Sequence, residues 1–196
     1  MNLANKLTVS RIGLTFVFMF FLFSKGPAGK FAALIVFLTA CLTDMLDGFI
    51  AKSTNTVTDF GRLMDPIADK VLVLAAFLAF VELEIVPAWI VVIIMLREFL
   101  VTGLRILALT KGKVIPADAA GRHKTASQYV AIFATLLFLV FREMGVRVFK
   151  FWTARIEGVW AETILALMLI TMVLTTTSGI SYLVKNREVY LNAKAG

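Results

Sequence analysis

Five of the six aspartates in this 196-residue chain fall between positions 44 and 69, and four of them form two pairs at helical spacing. Asp44 and Asp47 are three residues apart, and Asp65 and Asp69 are four apart, so each pair lies on one face of its helix. Carboxylates beside apolar helices must be paired, protonated or bound to metal, because an unpaired charge is costly there. Two such faces turned towards each other form an all-oxygen site. The sequence therefore predicts that these four carboxylates hold one or two hard divalent cations.

Small and polar residues surround the aspartate pairs. Gly48 and Ala51 follow Asp47 by one residue and by one helical turn, which leaves room for a flat or bulky ligand against the backbone. Lys52 could meet a phosphate. The threonine-rich stretch 53–59 supplies hydroxyls that can donate to phosphate or sugar oxygens. We expect a phosphorylated ligand beside the metal.

The N-terminal segment 1–11 is predicted to form a short interfacial helix. Asn5, Thr8 and Arg11 are spaced by three residues and share one face, close enough to reach a ligand headgroup. A snorkelling arginine with two capping residues would give the same pattern. Spacing alone favours this second interpretation.

A second charged group follows later in the chain. Arg97 and Arg105 are eight residues apart and share one helix face, with Glu98 seven residues before Arg105. A glutamate–arginine pair could simply join helices, but the excess of arginine indicates an anionic guest. Arg122 and Lys124 lie at the start of another helix, where backbone N–H groups favour phosphate.

The composition is that of an integral membrane protein. The chain is 60% hydrophobic, contains 17 phenylalanines and has a mean hydropathy of +0.88. A helix needs roughly 20 apolar residues to cross a bilayer. Six segments qualify and predict an all-α membrane protein with six transmembrane helices, forming one domain over residues 1–196: 10–24, 31–52, 62–81, 86–109, 126–142 and 158–184. The polar tail 185–196 is expected to fray.

Lysine and arginine at the ends of these spans predict their orientation. Eleven lie on the side that contains both termini and the aspartates, and six lie on the other side. We therefore expect a multi-pass protein of the cell membrane whose termini and active site are cytoplasmic. The net charge of +7 suits anionic lipid headgroups and not nucleic acid. The single cysteine, Cys41, and the single histidine, His123, cannot form a metal site of their own type.

The aspartate stretch resembles the motif of the CDP-alcohol phosphotransferases, a family of membrane enzymes. The family motif usually has arginine where this chain has Lys52, which keeps the charge and loses the bidentate fork. Asp65 to Lys70, Arg97 to Arg105 and the Gly-x-x-Lys-Thr at 121–125 are similar to the phosphatidylglycerophosphate synthases of that family. The matching motif residues are Asp44, Asp47, Gly48, Ala51, Gly61, Asp65 and Asp69.

The resemblance implies a reaction in which CDP-diacylglycerol and sn-glycerol 3-phosphate give phosphatidylglycerophosphate and CMP. Asp44, Asp47 and Asp65 would be metal ligands, and Asp69 would be both a ligand and the base for the glycerol 1-hydroxyl. Two ions of Mg²⁺ or Mn²⁺ suit such all-oxygen ligation.

The resemblance also implies two binding sets and a homodimer. The cytidine diphosphate would be held by Asn5, Thr8, Arg11, Gly48, Ala51, Lys52, Thr58 and Gly61. The glycerol 3-phosphate would be held by Arg105, Arg122 and Lys124, with Arg97 as a further candidate.

Two alternatives stay open. The same chemistry could use another acceptor, such as phosphatidylglycerol, serine or inositol phosphate, although a neutral acceptor would not need several cations. Six spans with intramembrane carboxylates could also form a divalent-cation transporter. A transport path should carry polar residues through the membrane, whereas the charges here gather towards one side.

Overall fold

The computed structural model describes the backbone of residues 3–54, 59–110 and 120–191, and the side chains of residues 10–43, 70–110 and 124–190. All of its regular secondary structure in these ranges is helical, as predicted. The helices are α1 (Leu3–Phe23), α2 (Pro27–Thr54), α3 (Asp59–Glu82), α4 (Ala88–Thr110), α5 (Ala120–Arg147), α6 (Ala154–Lys185) and α7 (Arg187–Leu191).

Each predicted span corresponds to one of the first six helices, and most helices are longer than the apolar run inside them. Among the described residues, two segments are long and apolar enough to cross a membrane, Lys124–Arg147 in α5 and Ala154–Lys185 in α6. Shorter apolar segments occupy Ser10–Phe23 and Pro27–Thr43. The helix α4 has sufficient length but carries three charges within its 23 residues. The full six-span arrangement stays a prediction.

The structure differs from the sequence-based expectation at both ends of the chain. The N-terminal segment is not a separate helix, because α1 runs without a break from Leu3 into the first span. No proline or glycine interrupts it before Gly13. The expected fraying of the tail is wrong up to residue 191. There α7 packs on α4, and its Val189 is buried against Val101 and Leu104.

The helices form two groups that meet along three contacts. α1 packs against α2 and α3, while α6 packs against α4 and α5. The groups join through α2 with α5, and through looser contacts of α3 with α4 and α5. We call these the N-terminal group (α1–α3) and the C-terminal group (α4–α6). The first contains every residue of the aspartate motif for which a helix is described.

The core between the groups is built from aromatic and branched apolar side chains. Phe18 and Phe37 are buried with ring centroids 5.7 Å apart, and Phe37 lies 6.3 Å from the ring of Tyr129 on α5. On the outside, Phe16 and Phe20 are 71% and 72% exposed. Such an apolar exterior suits lipid, where close packing and interhelical polar contacts, more than the hydrophobic effect, hold helices together.

Short connections place the ends of the helices on two sides of the bundle. The connections at 24–26, 83–87 and 148–153 lie on one side, which we call the turn end. The end of α2, the start of α3, the end of α4 and the start of α5 lie on the other side, which we call the motif end. Gly26 makes the first turn with a φ of +96°, a conformation that favours glycine. The buried Lys30 amine donates to the Leu22 and Ser24 carbonyl oxygens and so caps α1.

Candidate active site

One carboxylate gathers charged and polar side chains from three helices. Glu98, in the middle of α4, accepts through Oε1 from Arg97 Nη1 at 2.9 Å and from Lys124 Nζ at 2.6 Å. Its Oε1 also accepts from Gln128 Nε2 at 3.3 Å. Its Oε2 accepts from Lys70 Nζ on α3. We call Lys70, Arg97, Glu98, Lys124 and Gln128 the Glu98 cluster.

The Glu98 cluster is largely removed from solvent and carries an excess of positive charge. The side chains of Arg97, Glu98 and Lys124 are only 8%, 12% and 11% exposed, while that of Lys70 is 35% exposed. Three cations against one carboxylate leave a charge of +2 among these residues. Burying charge is expensive unless it is paired and hydrogen-bonded. Among the described side chains, the positive charge of the cluster is therefore not balanced, which suits a further anion.

The arginine of the cluster also reaches α6. Arg97 Nη2 donates to Ser178 Oγ at 3.1 Å, and Gly179 lies directly against the arginine stem. A Cβ at position 179 would lie 2.5 Å from Arg97 Cγ, so only glycine leaves the space that this side chain occupies. Within the described part of the chain, the buried Arg97 Nε has no hydrogen-bond partner. The cluster thus connects four helices, from α3 to α6.

The predicted phosphate-binding residues are partly brought together. Arg97 and Lys124 share Glu98 Oε1. Arg105 is half-buried on α4, and its Nε also lacks a partner among the described residues. Arg122 lies in α5, but its side chain is outside the described residues. The pairing of Glu98 with Arg105, considered from spacing, does not occur among the described contacts, because Glu98 turns to Arg97 and to neighbouring helices.

The helical backbone runs through both aspartate pairs, as their spacing requires. Asp44 and Asp47 lie in the last part of α2, and Asp65 and Asp69 lie in the first part of α3. The two parts belong to helix ends that lie at the motif end. The four side chains are outside the described residues, so the metal site stays a prediction. Among the described side chains, no three His, Cys, Asp or Glu residues come together.

The predicted nucleotide-binding residues are spread over the N-terminal group of helices. Arg11 of this set is buried on α1. The other side chains, and Thr58 with its backbone, are outside the described residues. Their helices are α1 for Asn5 and Thr8, α2 for Gly48, Ala51 and Lys52, and α3 for Gly61.

Comparison with known proteins shows to which family the chain belongs. A sequence profile described as CDP-alcohol phosphatidyltransferase matches residues 1–193, nearly the whole chain. The chain belongs to the CDP-alcohol phosphatidyltransferase family. The resemblance stated from the aspartate motif is confirmed.

Several relatives within the family are named for the same enzymatic activity. A Bacillus subtilis protein named CDP-diacylglycerol--glycerol-3-phosphate 3-phosphatidyltransferase is 41% identical over 148 residues, which is 69% of this chain and 77% of that protein. A Rickettsia bellii protein of the same name is 38% identical over 132 residues, 67% of this chain and 72% of the relative. A probable phosphatidylglycerophosphate synthase of Mycobacterium tuberculosis H37Rv is 42% identical over 134 residues. That match spans 67% of this chain and 64% of the mycobacterial protein.

Sequence reasoning did not anticipate several contacts of this family member. Lys70 was part of the motif but had no assigned role, and Gln128 and Ser178 were not considered. Gln128 lies four residues after Lys124, on the same face of α5, which was the available signal. The contacts of Ser178 and Gly179 with Arg97 connect α6 to the Glu98 cluster.

A cavity of about 200 Å³ lies beside the Glu98 cluster, between α3, α4 and α5. Lys70, Glu98, Thr125 and Gln128 form its polar part. Its apolar part is lined by residues such as Phe77 and Ile94. Lys70 of α3 and Glu98 of α4, which bind each other, both line this cavity.

Proposed function

We propose that this family member transfers the phosphatidyl group from CDP-diacylglycerol to sn-glycerol 3-phosphate, giving phosphatidylglycerophosphate and CMP. The observation that carries the proposal is the convergence of three cations on Glu98 in a chain of this family. A buried charge of this sign suits an acceptor that carries its own phosphate. The names of the relatives from three bacterial groups support the same acceptor.

The aspartates are the proposed metal ligands. Asp44, Asp47, Asp65 and Asp69 supply only oxygen donors, from two helix ends joined by a short connection. This donor set fits Mg²⁺ or Mn²⁺ and offers nothing to a soft metal. When bound, two such ions would neutralise the pyrophosphate of the lipid substrate.

In the proposed mechanism, Asp69 takes the proton from the 1-hydroxyl of glycerol 3-phosphate. The resulting oxygen attacks the phosphorus that bears the diacylglycerol. A new P–O bond forms to the glycerol as the bond to CMP breaks, so the electron pair leaves with CMP and the proton stays on Asp69 until it returns to solvent. Asp69 directly precedes Lys70 in α3, so the proposed base belongs to the helix that supplies Lys70 to the Glu98 cluster.

Each of the two sets of binding residues would hold one of the two substrates. The lipid-linked nucleotide would lie along the N-terminal group of helices, against Arg11, Lys52 and the small residues Gly48, Ala51 and Gly61, with polar contacts from Asn5, Thr8 and Thr58. The acceptor phosphate would meet Arg97, Arg105, Arg122 and Lys124 of the C-terminal group. An ammonium has three N–H donors, so the bond from Lys124 to Glu98 leaves it able to bind phosphate as well.

The proposed setting is the cell membrane, with six spans and with both termini and the active site in the cytoplasm. The lipid substrate has its acyl chains in the bilayer, and the acceptor is dissolved in water, so the reaction must occur at the membrane surface. The distribution of lysine and arginine supports this orientation. The homodimer expected from the family resemblance is part of the same proposal.

An acceptor panel tests the function. Purified protein in vesicles would receive CDP-diacylglycerol with Mg²⁺ or Mn²⁺ and one of glycerol 3-phosphate, serine, inositol phosphate or phosphatidylglycerol, and CMP release would be measured. We expect that, of these four acceptors, only glycerol 3-phosphate gives CMP release. Release with serine and not with glycerol 3-phosphate would overturn the assignment. Cation uptake by sealed vesicles without CMP release would favour a transporter.

A further inference from the structure

Glu98 occupies the junction between the two groups of helices. It binds Lys70 from the N-terminal group and Arg97, Lys124 and Gln128 from the C-terminal group. Elsewhere the approach of α3 to α4 and α5 is loose, and the cavity of about 200 Å³ lies in the gap. α3 also packs into the common apolar core through side chains such as Phe77 and Phe80. Among the described side chains, the ion pair of Lys70 with Glu98 is the polar link between α3 and the C-terminal group.

Neutralising Glu98 would need only one cation. Instead, the carboxylate holds two ammonium groups and one guanidinium, all of which repel one another. Lys70 and Lys124 bind different oxygens of the same carboxylate, so their Nζ atoms are separated by no more than the carboxylate and two hydrogen bonds. Without the negative charge, like-charge repulsion would separate these side chains. Glu98 is thus the group that makes the cations converge.

The sequence positions of the two lysines connect this convergence with catalysis. Lys70 directly follows Asp69, the proposed base, and Lys124 belongs to the proposed phosphate-binding set. A carboxylate that fixes both lysines also fixes the distance from the base-bearing helix to the acceptor phosphate. Accurate positioning of reactants is a large part of what a phosphoryl-transfer enzyme must supply.

We propose that Glu98 is a positioning residue for the acceptor: by binding Lys70 and Lys124 together, it shapes the phosphate pocket and aligns α3 with it. This inference rests on the proposed function. It assigns to an acidic residue a role in binding an acidic substrate, which charge alone would not suggest. The effect is indirect, because Glu98 acts through the lysines and not on the substrate.

The test compares Glu98→Gln and Glu98→Asp with the wild-type protein in the CMP-release assay, with kcat and both KM values measured. Glu157→Gln is the matched control, because it removes the carboxylate of an exposed Arg142–Glu157 pair at the turn end. We expect Glu98→Gln to raise the KM for glycerol 3-phosphate about tenfold or more. The KM for CDP-diacylglycerol should stay within about twofold, since most of the proposed nucleotide set lies on α1 and α2. Glu98→Asp, which keeps the charge, should recover part of the loss.

A second measurement separates positioning from a merely structural role. Lys70→Gln would be made in the wild-type and Glu98→Gln backgrounds, and the glycerol 3-phosphate KM compared in a double-mutant cycle. If Glu98 acts through Lys70, the lysine change will cost less in the Glu98→Gln background. Additive costs would overturn the coupling.

The outcome also separates this inference from the proposed function. Glu98→Gln with wild-type kinetics in its folded fraction, or with both KM values raised equally, would overturn the inference while leaving the function intact. If Glu98→Gln does not yield folded protein, Glu98→Asp replaces it in both the kinetic comparison and the double-mutant cycle. A wild-type KM in Glu98→Asp, together with additive costs for Lys70→Gln in that background, would overturn the inference. A wild-type protein that ignores glycerol 3-phosphate would overturn the function itself.

Discussion

The ion pairs at the turn end and the Glu98 cluster are built differently. At the turn end, Arg142 Nη2 lies 2.9 Å from Glu157 Oε1, with the two side chains 44% and 42% exposed, and Glu143 pairs with Arg147 one helical turn away. Each of these carboxylates has one cation. Glu98, in contrast, is 12% exposed and binds three cations contributed by three helices.

This difference separates charges that support the fold from charges arranged for a ligand. An exposed pair is worth about 0–1 kcal/mol and is weakened by salt. A buried cluster has to offset a desolvation cost of several kcal/mol per ion, and surplus positive charge makes that harder. The surplus of positive charge in the Glu98 cluster has a physical reason if an anionic substrate binds there during turnover. The turn-end pairs need no such partner.

The largest expected effect comes from the aspartate motif. Asp69→Asn should lower kcat by about a thousandfold, since a general base contributes roughly 10²–10⁴ in rate, while binding of the CDP-lipid partly survives. The sixth aspartate, Asp118, lies outside the motif and gives the matched control Asp118→Asn. Near-normal turnover of Asp69→Asn would remove this residue from the mechanism.

Removing a cation of the proposed pocket should affect acceptor binding in particular. We expect Arg105→Ala to raise the KM for glycerol 3-phosphate by about tenfold to a hundredfold, the value of one or two charged hydrogen bonds. At saturating acceptor, kcat should change little. The control is Arg142→Ala, an arginine of the turn end. An unchanged acceptor KM in Arg105→Ala would show that the pocket is elsewhere.

A smaller effect is expected from crowding Arg97. In Gly179→Ala the new Cβ would lie 2.5 Å from Arg97 Cγ, and the guanidinium is held by Glu98 and Ser178, so the side chain cannot move away freely. The free energy of unfolding should fall by about 1–3 kcal/mol, and the acceptor KM should rise.

Gly158 is the matched control for this change, because it lies on the same helix and a Cβ there would meet nothing within 4 Å. Thermal unfolding and kinetics of Gly158→Ala should be close to wild type. Equal stability of the two alanine variants would mean that Arg97 is not confined as described.

The smallest effect is expected at the turn end. Breaking the exposed pair with Arg142→Ala should change the free energy of unfolding by less than about 1 kcal/mol, and the change should shrink as salt is added. Unfolding measured at low and high ionic strength checks both points. A loss as large as that of Gly179→Ala would remove the distinction between the turn-end pairs and the Glu98 cluster.

Much of the fold could be predicted because apolar length and helical spacing are local properties. The helices correspond to the predicted spans, and the family was identifiable from the spacing of the aspartates. The continuity of α1 and the docking of α7 were missed, since average polarity hides a single buried side chain such as Val189.

The partners of Glu98 could not be predicted because they come from other helices. Sequence spacing suggested Arg105, on the same helix, whereas Lys70 is 28 residues away and Lys124 is 26 residues away. Similarly, the predicted span 158–184 carries little charge, so nothing in its sequence indicated a contact with Arg97. Its contribution is a hydroxyl and a glycine, Ser178 and Gly179, which hold and accommodate an arginine from α4.

The fate of labelled glycerol 3-phosphate in vesicles that contain CDP-diacylglycerol tests the central claim most directly. With Mg²⁺ or Mn²⁺ present, the account predicts one labelled lipid phosphate formed for each CMP released, and no labelled lipid after chelation of the metal. CMP release with no label in the lipid, or labelling that persists without a divalent cation, would contradict it.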